Sequence, residues 1–303
     1  MKKFIFNILI FFAIVSGIDV IAGITCNYLE SHAKGGDTYN EYYAFMKSEE
    51  NILIYGSSRA IHHYIPKLIT DSTKQTCFNC GLDGNGIIFQ YGRYKVMTNR
   101  YSPDIIIYDI EPAFDLNKDD KLKYLNGLKA FYDEPGVDSI FWDVSYMERY
   151  KMVSKLYRYN TKFIQMASDN IRPLQKISEG GYKPLFGEID YDIEWSDDPE
   201  YEIDTLKLNY FESMIISTKE RGIKLIFVAS PKYRALSSDS MIPIKQLCNK
   251  YDIQFLDYYC DNRFVNDPSL FQDSHHLNDT GASRFTNILI DTLKVIIKPQ
   301  QKS

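Results

Sequence analysis

Five short runs rich in β-branched and aromatic residues alternate with longer amphipathic segments, and this alternation restricts the possible folds more than any other feature of the sequence. Parallel strands need a crossover connection, usually a helix, so strands that alternate with helices predict a parallel sheet covered by helices on both faces. The predicted fold class is therefore α/β, with three α/β/α layers. The predicted strands are NILIYG (51–56), QTCFNCG (75–81), PDIIIYDIEP (103–112), IKLIFVASP (223–231) and IQFLDYY (253–259).

The segments between the strands have the apolar spacing and the end signals of helices. Pro66 should limit the start of the first helix or bend it, and Gly222 stands where a helix C-cap is expected. The alternation lapses over residues 113–203, which we interpret as a helical insertion or cap that ends in a mobile acidic loop. The predicted helices cover 59–72, 86–100, 205–222, 241–251 and 280–297.

The N-terminus begins with two lysines and then runs apolar from Phe4 to about Ile24. About 20 apolar residues cross the core of a bilayer, and the leading lysines should stay on the cytoplasmic side. This length favours a retained signal-anchor, with a cleaved signal peptide as the second interpretation. A third makes Cys26 a lipidated cysteine, although the preceding GIT is a poor lipidation signal. In each case the rest of the chain is exported, to the periplasm or the cell surface.

These patterns divide the chain into an anchor, a tether and one α/β domain with an insertion. With 303 residues, 45% of them hydrophobic, the chain is long enough for one large core. The expected boundaries are 1–26 for the transmembrane segment, 27–50 for the tether, 51–112 for the first part of the domain, 113–203 for the insertion and 204–298 for the second part.

Composition and cysteine spacing limit the classes of ligand. The net charge is −5 and no basic run occurs, so nucleic acid is not expected as a partner. The CFNC run at 77–80 has C-x-x-C spacing, but no second pair accompanies it. Buried thiols or a structural disulfide are therefore favoured over a zinc site.

Two stretches that are far apart in sequence carry candidate catalytic groups. Gly56-Ser57-Ser58 follows the first predicted strand, where a serine in a tight turn can expose its hydroxyl at the edge of a sheet as a nucleophile. Ordinary helix capping is the alternative. A serine nucleophile needs a positioned base, and the run DSHH at 273–276 offers a carboxylate three residues before an imidazole that it could orient.

The runs YGSSRA, FNCGLDGNG and DSHHLNDTGASRF resemble the conserved blocks of the SGNH hydrolases, the GDSL-like lipase/acylhydrolase superfamily. The family's positions fall on Ser58, Gly84, Asp273 and His276, with Gly281 closing the last block. The resemblance implies a flavodoxin-like fold, in which Ser58 attacks an ester carbonyl. His276 would take its proton, Asp273 would orient His276, and the backbone N–H groups of Ser58 and Gly84 would form the oxyanion hole.

Two positions depart from the family's pattern. Ser57 replaces the aspartate of Gly-Asp-Ser, and Glu111 stands roughly where the third block supplies an asparagine to the oxyanion hole. Asn79 and Asn85 are the candidates for a substitute donor. Arg59, Asn85 and Glu111 are also expected to line the site.

The anchor, the Gly-Ser-Ser run and the late Asp-x-x-His-Leu are similar to members of the superfamily that modify cell-envelope polymers, such as alginate O-acetyltransferases and the D-alanyl transfer proteins of teichoic acids. This similarity implies an exported, membrane-anchored serine esterase or O-acyltransferase, without a metal or other cofactor, whose partner is an acylated cell-surface polysaccharide. The alternatives are a catalytically inactive SGNH-like protein that binds or assembles polysaccharide, and a flavodoxin-like phosphate-binding module. The last is disfavoured because GLDGNG lacks the lysine of a P-loop.

Overall fold

The computed structural model describes residues 1–119, 121–171 and 180–297. The predicted α/β class with a parallel sheet is confirmed, and each of the five predicted strands is present within its run. The strands are β1 Ile52–Gly56, β2 Cys77–Asn79, β3 Ile105–Asp109, β4 Lys224–Ala229 and β5 Gln254–Asp257.

Thirteen α-helices and three short 3₁₀ helices are found in the described parts of the chain. The 3₁₀ helices are Lys123–Phe131, Asp239–Met241 and Pro268–Leu270. The α-helices are α1 Lys2–Ser31, α2 Gly36–Met46, α3 Ser58–His63, α4 Pro66–Thr73, α5 Ile87–Thr98, α6 Pro112–Asp115, α7 Val137–Val144, α8 Glu148–Lys151, α9 Lys155–Tyr159, α10 Phe163–Ile171, α11 Thr205–Glu220, α12 Ile242–Tyr251 and α13 Asp279–Ile297.

All neighbouring strands pair in parallel, in the order β2-β1-β3-β4-β5. This is the flavodoxin-like order, in which the direction of strand addition reverses beside β1 and β3. Ligands of such sheets bind beyond the carboxyl ends of the strands at that reversal. The fold therefore places the loop after β1 at the position where a site is expected.

Alternate residues of the central strands belong to two separate hydrophobic cores, one on each face of the sheet. Leu53 and Tyr55 of β1 belong to the core under α2, α5 and α11, whereas Ile52 and Ile54 belong to the core under α3, α4 and α13. All of β1 is buried, as expected for a strand with helices on both faces. Burying one such aliphatic side chain contributes roughly 1.5–3 kcal/mol, so the central strands are strongly fixed.

One predicted helix is divided in two. The segment 59–72 forms α3 and α4, separated by Tyr64 and Ile65 in extended conformations. Pro66 is the first residue of α4 and imposes this break, because its ring excludes the helical conformation at the preceding residue. Pro66 thus sets the start of α4 rather than bending one continuous helix.

The N-terminal helix α1 is long and apolar enough to cross a membrane. All residues from 1 to 18 are exposed, whereas from Asp19 onward one face of the helix packs against the domain. Within residues 27–50, α2 packs on α5 and buries Phe45 completely.

The five cysteines are free thiols, and four of them are buried. Of the two interpretations left open by the sequence, the structure has buried thiols rather than a disulfide. Burial raises the pKa of the Cys80 thiol to about 12, which keeps it protonated and unreactive at neutral pH.

Candidate active site

A tight turn at the end of β1 presents Ser58. Gly56 has φ 138°, and a Cβ at this position would lie 2.6 Å from the carbonyl oxygen of Asp109, so only glycine fits there. Ser57 is buried and precedes α3 without making a side-chain cap hydrogen bond. Ser58 is the first residue of α3 and is partly exposed. The geometry therefore does not support the helix-capping interpretation of this pair.

The structure brings Ser58, His276 and Asp273 into one hydrogen-bonded chain. The Oγ of Ser58 lies 2.8 Å from the Nε2 of His276. The Nδ1 of the same ring lies 2.9 Å from both carboxylate oxygens of Asp273. The neighbouring His275 is exposed. A hydroxyl, an imidazole and a carboxylate in this order can activate the serine as a nucleophile.

The Asp273 carboxylate also accepts backbone hydrogen bonds. The N–H groups of His275 and His276 both donate to its Oδ1, at 2.8 and 2.9 Å. Burial alone would raise the pKa of Asp273, but the hydrogen bonds and charge of His276 and these backbone donors lower the pKa to about 2. Asp273 is therefore an anion at every pH at which the protein would work.

Close backbone packing fixes the loop that carries His276. Gly281, the glycine that ends the last sequence block, lies where a Cβ would be 2.1 Å from the carbonyl oxygen of Leu270. The side chain of Asn278 donates to the carbonyl of Ser269 and accepts from the N–H of Gly281. This block is thus a rigid turn into α13, and any side chain at position 281 would push it out of place.

Arg59 and Glu111 form a buried ion pair next to the turn that carries Ser58. The Nε of Arg59 lies 2.5 Å from the Oε2 of Glu111, and the two side chains are 1% and 10% exposed. Burial lowers the pKa of Arg59, but the charges of Glu111 and Asp109 outweigh it and raise the pKa above its ordinary value. Arg59 is therefore compensated within the protein and is not an open cationic contact for a ligand.

Asp115 shapes the turn that carries Glu111. It is fully buried, and its carboxyl group accepts hydrogen bonds from the Tyr108 hydroxyl at 2.7 Å and from the Glu111 N–H at 2.8 Å. Burial raises the pKa of Asp115 to about 7. The group thus keeps its proton in the folded protein over much of the acidic range.

Asp115 should make the protein less stable as the pH rises. In the unfolded chain its pKa is about 3.9, so its contribution to the free energy of unfolding is complete below about pH 4 and is lost as the pH rises through about 7. Asp115→Asn keeps a neutral side chain, so we expect a shallower loss of stability between pH 5 and pH 8. Urea unfolding at both pH values measures this, and equal slopes for the two proteins would contradict it.

A second buried chain of hydrogen bonds supports the loop of His276. The N–H of Leu277 donates to the Nε2 of His63 at 2.9 Å, so the proton of this ring is on Nδ1. That Nδ1 lies 2.9 Å from the Oγ of Ser230, whose hydroxyl donates to Asp109 at 2.6 Å. Burial, together with the charges of His276 and other neighbours, lowers the pKa of His63 far below its usual value. His63 is therefore a neutral, oriented support for the residue after His276.

His63 is not among the residues that the sequence predicts to act in the site. Its role was missed because its partners come from three other segments. A signal did exist in the sequence: Asp109 and Ser230 are polar residues at the ends of two apolar strands. The ends of neighbouring parallel strands lie side by side, so these two residues could have been paired.

Asp109→Asn should break this chain. The oxygen of the amide would stay on the Ser230 N–H, which donates to Asp109 at 3.1 Å, and its NH₂ would then face the Ser230 hydroxyl. One buried donor of Ser230 or His63 loses its partner, at a cost of about 1–3 kcal/mol in unfolding free energy. Urea unfolding measures this loss. Asp104→Asn is the control for the change of charge, because Asp104 is exposed and its partner, the side-chain amide of Asn51, can bond to water instead. A loss in Asp109→Asn no larger than in this control would contradict the orientation of the chain.

The loop of the second sequence block is hydrogen-bonded to the turn that carries Ser58. The N–H of Leu82 donates to the Gly56 carbonyl at 3.2 Å, and Asp83 lies 3.0 Å from the Nε2 of His62. Gly84 follows with φ 70° and borders open space. Its N–H stays a predicted oxyanion donor together with that of Ser58.

The two asparagines expected as substitute oxyanion donors are engaged elsewhere. The Asn79 amide is buried and donates to the carbonyls of Ala60 and Tyr64, at 2.7 and 3.1 Å. The amide of Asn85 donates to the Asp83 carbonyl at 2.7 Å. Neither amide nitrogen is directed at Ser58 in this arrangement. In the described parts of the chain, no group of three or more His, Cys, Asp or Glu side chains is arranged to hold a metal ion.

The acidic segment at the end of the insertion is held near the ends of β4 and β5. Asp198 accepts hydrogen bonds of 2.6 Å from Lys232, Tyr259 and Ser240. Lys232 and Tyr259 are buried beneath it. These contacts place Asp198 over the loops that follow the two strands.

Comparison with known proteins gives structural neighbours only. No protein-family model matches the sequence, and no curated protein matches it. One solved structure that is similar in fold is a protein of Streptococcus pneumoniae that is provisionally described as a platelet activating factor. The two sequences are 13% identical, and the match covers 94% of this chain and 99% of that chain with a TM-score of 0.44. 

Two further neighbours are ester hydrolases by their descriptions. A variant of an acetyl-xylooligosaccharide esterase from Geobacillus stearothermophilus is 11% identical, with 86% of this chain and 100% of that chain covered and a TM-score of 0.41. A GDSL-like lipase from Bacteroides thetaiotaomicron is 10% identical, with 80% and 88% covered and a TM-score of 0.39.

Proposed function

We propose that the protein is a serine ester hydrolase or O-acyltransferase of the SGNH type. The observation that carries the proposal is the hydrogen-bonded chain from the Ser58 hydroxyl through His276 to Asp273. Its residues come from segments more than two hundred positions apart, so their convergence is a property of the fold and not of local sequence. They also occupy the positions that the resemblance to this superfamily assigns to the catalytic residues.

The chemistry follows from this order of groups. The Ser58 oxygen attacks the ester carbonyl carbon while the Nε2 of His276 takes the hydroxyl proton. The negative charge on the carbonyl oxygen is stabilised by the N–H groups of Ser58 and Gly84, and one such donor contributes about 10²–10³ in rate. The intermediate then expels the alcohol, which receives the proton from His276, and leaves an acyl group on Ser58.

The second half of the reaction repeats these steps with another nucleophile. Water or a sugar hydroxyl gives its proton to His276 and attacks the acyl group, and Ser58 is released. Hydrolysis and transfer thus share the acyl-enzyme and differ only in the acceptor. An acyl ester of a cell-surface carbohydrate is the proposed substrate, on the basis of the similarity of the sequence to envelope polymer-modifying proteins.

The proposed location is the outer side of a membrane, with α1 as a retained anchor. Its first 18 residues are exposed and almost entirely apolar after the two lysines, which is unfavourable in water but suits lipid. Loss of α1 as a cleaved signal peptide is the second possibility, and it would leave the chemistry unchanged.

Ester turnover tests the proposal. The full chain in detergent is incubated with p-nitrophenyl acetate, and we expect turnover with an initial burst of nitrophenol equal to the enzyme, because an acyl-enzyme accumulates. A serine-reactive fluorophosphonate should abolish it. Adding an oligosaccharide acceptor and measuring acetate against acetylated sugar then separates hydrolysis from transfer.

One observation favours the inactive polysaccharide-binding alternative. Glu111 stands roughly where the family has its oxyanion asparagine, and it is paired with Arg59. The side-chain amides of Asn79 and Asn85 donate to backbone carbonyl groups instead. Folded protein that neither turns over the ester nor reacts with the fluorophosphonate would decide for this alternative.

A further inference from the structure

The outward part of α1 is held by the insertion. The carboxylate of Asp19 accepts hydrogen bonds from the Ser154 hydroxyl at 2.6 Å and from the backbone N–H groups of Lys155 and Leu156 at 2.8 and 2.9 Å. Asp19 thus caps the beginning of α9. Further along, Gly23 of α1 packs directly on the side chain of Lys155.

The length of α1 shows where this contact lies relative to a bilayer. The apolar stretch from Phe4 to Ile24 is about 32 Å long at 1.5 Å per residue, close to the roughly 30 Å thickness of the hydrocarbon core. Contact with the insertion already begins at Asp19, about 8 Å before the end of that stretch. The part of the insertion beside Asp19 must therefore reach into the outer boundary of any bilayer that α1 spans.

The surface of the insertion at this place is apolar and aromatic. Val153, next to Ser154, is 75% exposed, and Tyr146, Met147 and Tyr150 are each 57–60% exposed. Soluble proteins rarely leave so many large apolar side chains together in water. Six such residues lie between positions 142 and 156: Trp142, Tyr146, Met147, Tyr150, Val153 and Leu156.

Two ring contacts join members of this surface to each other and to a basic side chain. The guanidinium of Arg149 lies 5.2 Å from the centre of the Trp142 ring, and the rings of Tyr146 and Tyr150 are 5.7 Å apart. Tryptophan and tyrosine are enriched at the level of lipid headgroups, and arginine is attracted to anionic lipids there. Amphipathic segments of this kind enter the headgroup boundary by about 5–10 Å, which matches the depth required by α1.

We propose that residues 142–156 form a membrane-contacting platform that lies in the outer headgroup layer beside α1. The occupant of this apolar surface is the bilayer that α1 crosses. The inference rests on the proposed function only in requiring that α1 remains in the membrane. The anchor and the platform would contact the membrane at two places. Because α1 also contacts the insertion through Asp19, the domain would be held in one orientation relative to the bilayer.

The two tryptophans of the chain provide the test, because Trp142 lies in the platform and Trp195 lies in the acidic segment. Trp195→Phe leaves only the platform tryptophan, and Trp142→Phe leaves only the other. Both side chains are partly exposed, so phenylalanine should be tolerated. Each full-chain variant is placed in vesicles of phosphatidylcholine and phosphatidylglycerol whose acyl chains carry bromine, which quenches nearby tryptophan.

We expect Trp142 to lose most of its fluorescence, more with bromine near the headgroup end of the chains than near the bilayer centre, and Trp195 to keep its fluorescence. Unquenched Trp142 in vesicles that retain the protein during carbonate washing would overturn the platform while leaving the anchor intact. Equal quenching of both tryptophans would overturn it too. Extraction of the protein by carbonate would refute both the anchor and the platform. The proposed esterase activity is measured separately and would not be refuted by that result.

Discussion

Replacing Ser58 with alanine is expected to lower kcat for ester turnover by about four to six orders of magnitude. The Ser58 hydroxyl is the only group of the site that the mechanism joins covalently to the acyl group. Its loss leaves substrate binding and the oxyanion donors, which alone give the residual rate seen when a serine of this kind is removed. Steady-state turnover of p-nitrophenyl acetate measures the effect.

Ser57→Ala is the matched control for this experiment. Ser57 is the adjacent residue, is buried, and its hydroxyl has no hydrogen-bond partner in the described parts of the chain. Removing that hydroxyl should leave kcat within a few-fold of the original value. Activity that survives in Ser58→Ala would show that Ser58 is not the nucleophile. An equal loss in Ser57→Ala would show that the effect is not specific to the Ser58 hydroxyl.

Asp273→Asn should lower kcat by about four orders of magnitude without disturbing the fold. The N–H groups of His275 and His276 both donate to Oδ1, so the oxygen of the new amide must stay there. Its NH₂ group then takes the place of Oδ2, 2.9 Å from the Nδ1 of His276, and favours the tautomer in which this nitrogen accepts. The proton of the imidazole moves to Nε2, which faces Ser58, and the ring can no longer take the serine proton.

Asp279→Asn provides the comparison within the same block. Asp279 accepts a hydrogen bond from the Tyr182 hydroxyl at the start of α13 and touches neither histidine of the loop in any described contact. The same change of charge in Asp279→Asn should therefore leave kcat within a few-fold of the original value. An Asp273→Asn protein with kcat within tenfold of the original would mean that the carboxylate does not set the tautomer of His276.

The architecture was predictable because its signals are local. Apolar β-branched runs identify the five strands, and the short strand–helix alternation leaves few topologies for a parallel sheet. The position of Ser58 after β1 followed from the same reasoning. The effect of Pro66 was only partly foreseen, since the sequence alone allowed either a bend or a limit.

The supports of the site were less accessible, because they depend on contacts between distant segments. The need for glycine at 281 arises from its closeness to the Leu270 carbonyl, and the tautomer of His63 is set by Leu277 and Ser230. The pairing of Arg59 with Glu111 was not foreseen either. The sequence predicts that both line the site, but it does not show that they neutralise each other.

The most direct test of the proposed mechanism is the position of the covalent adduct. The full chain is treated with a fluorophosphonate, digested, and analysed by mass spectrometry, with protein unfolded in urea as the control for nonspecific labelling. We expect one stoichiometric adduct on Ser58 of the folded protein and none after unfolding. An adduct on another residue, or folded protein without any adduct, would contradict it.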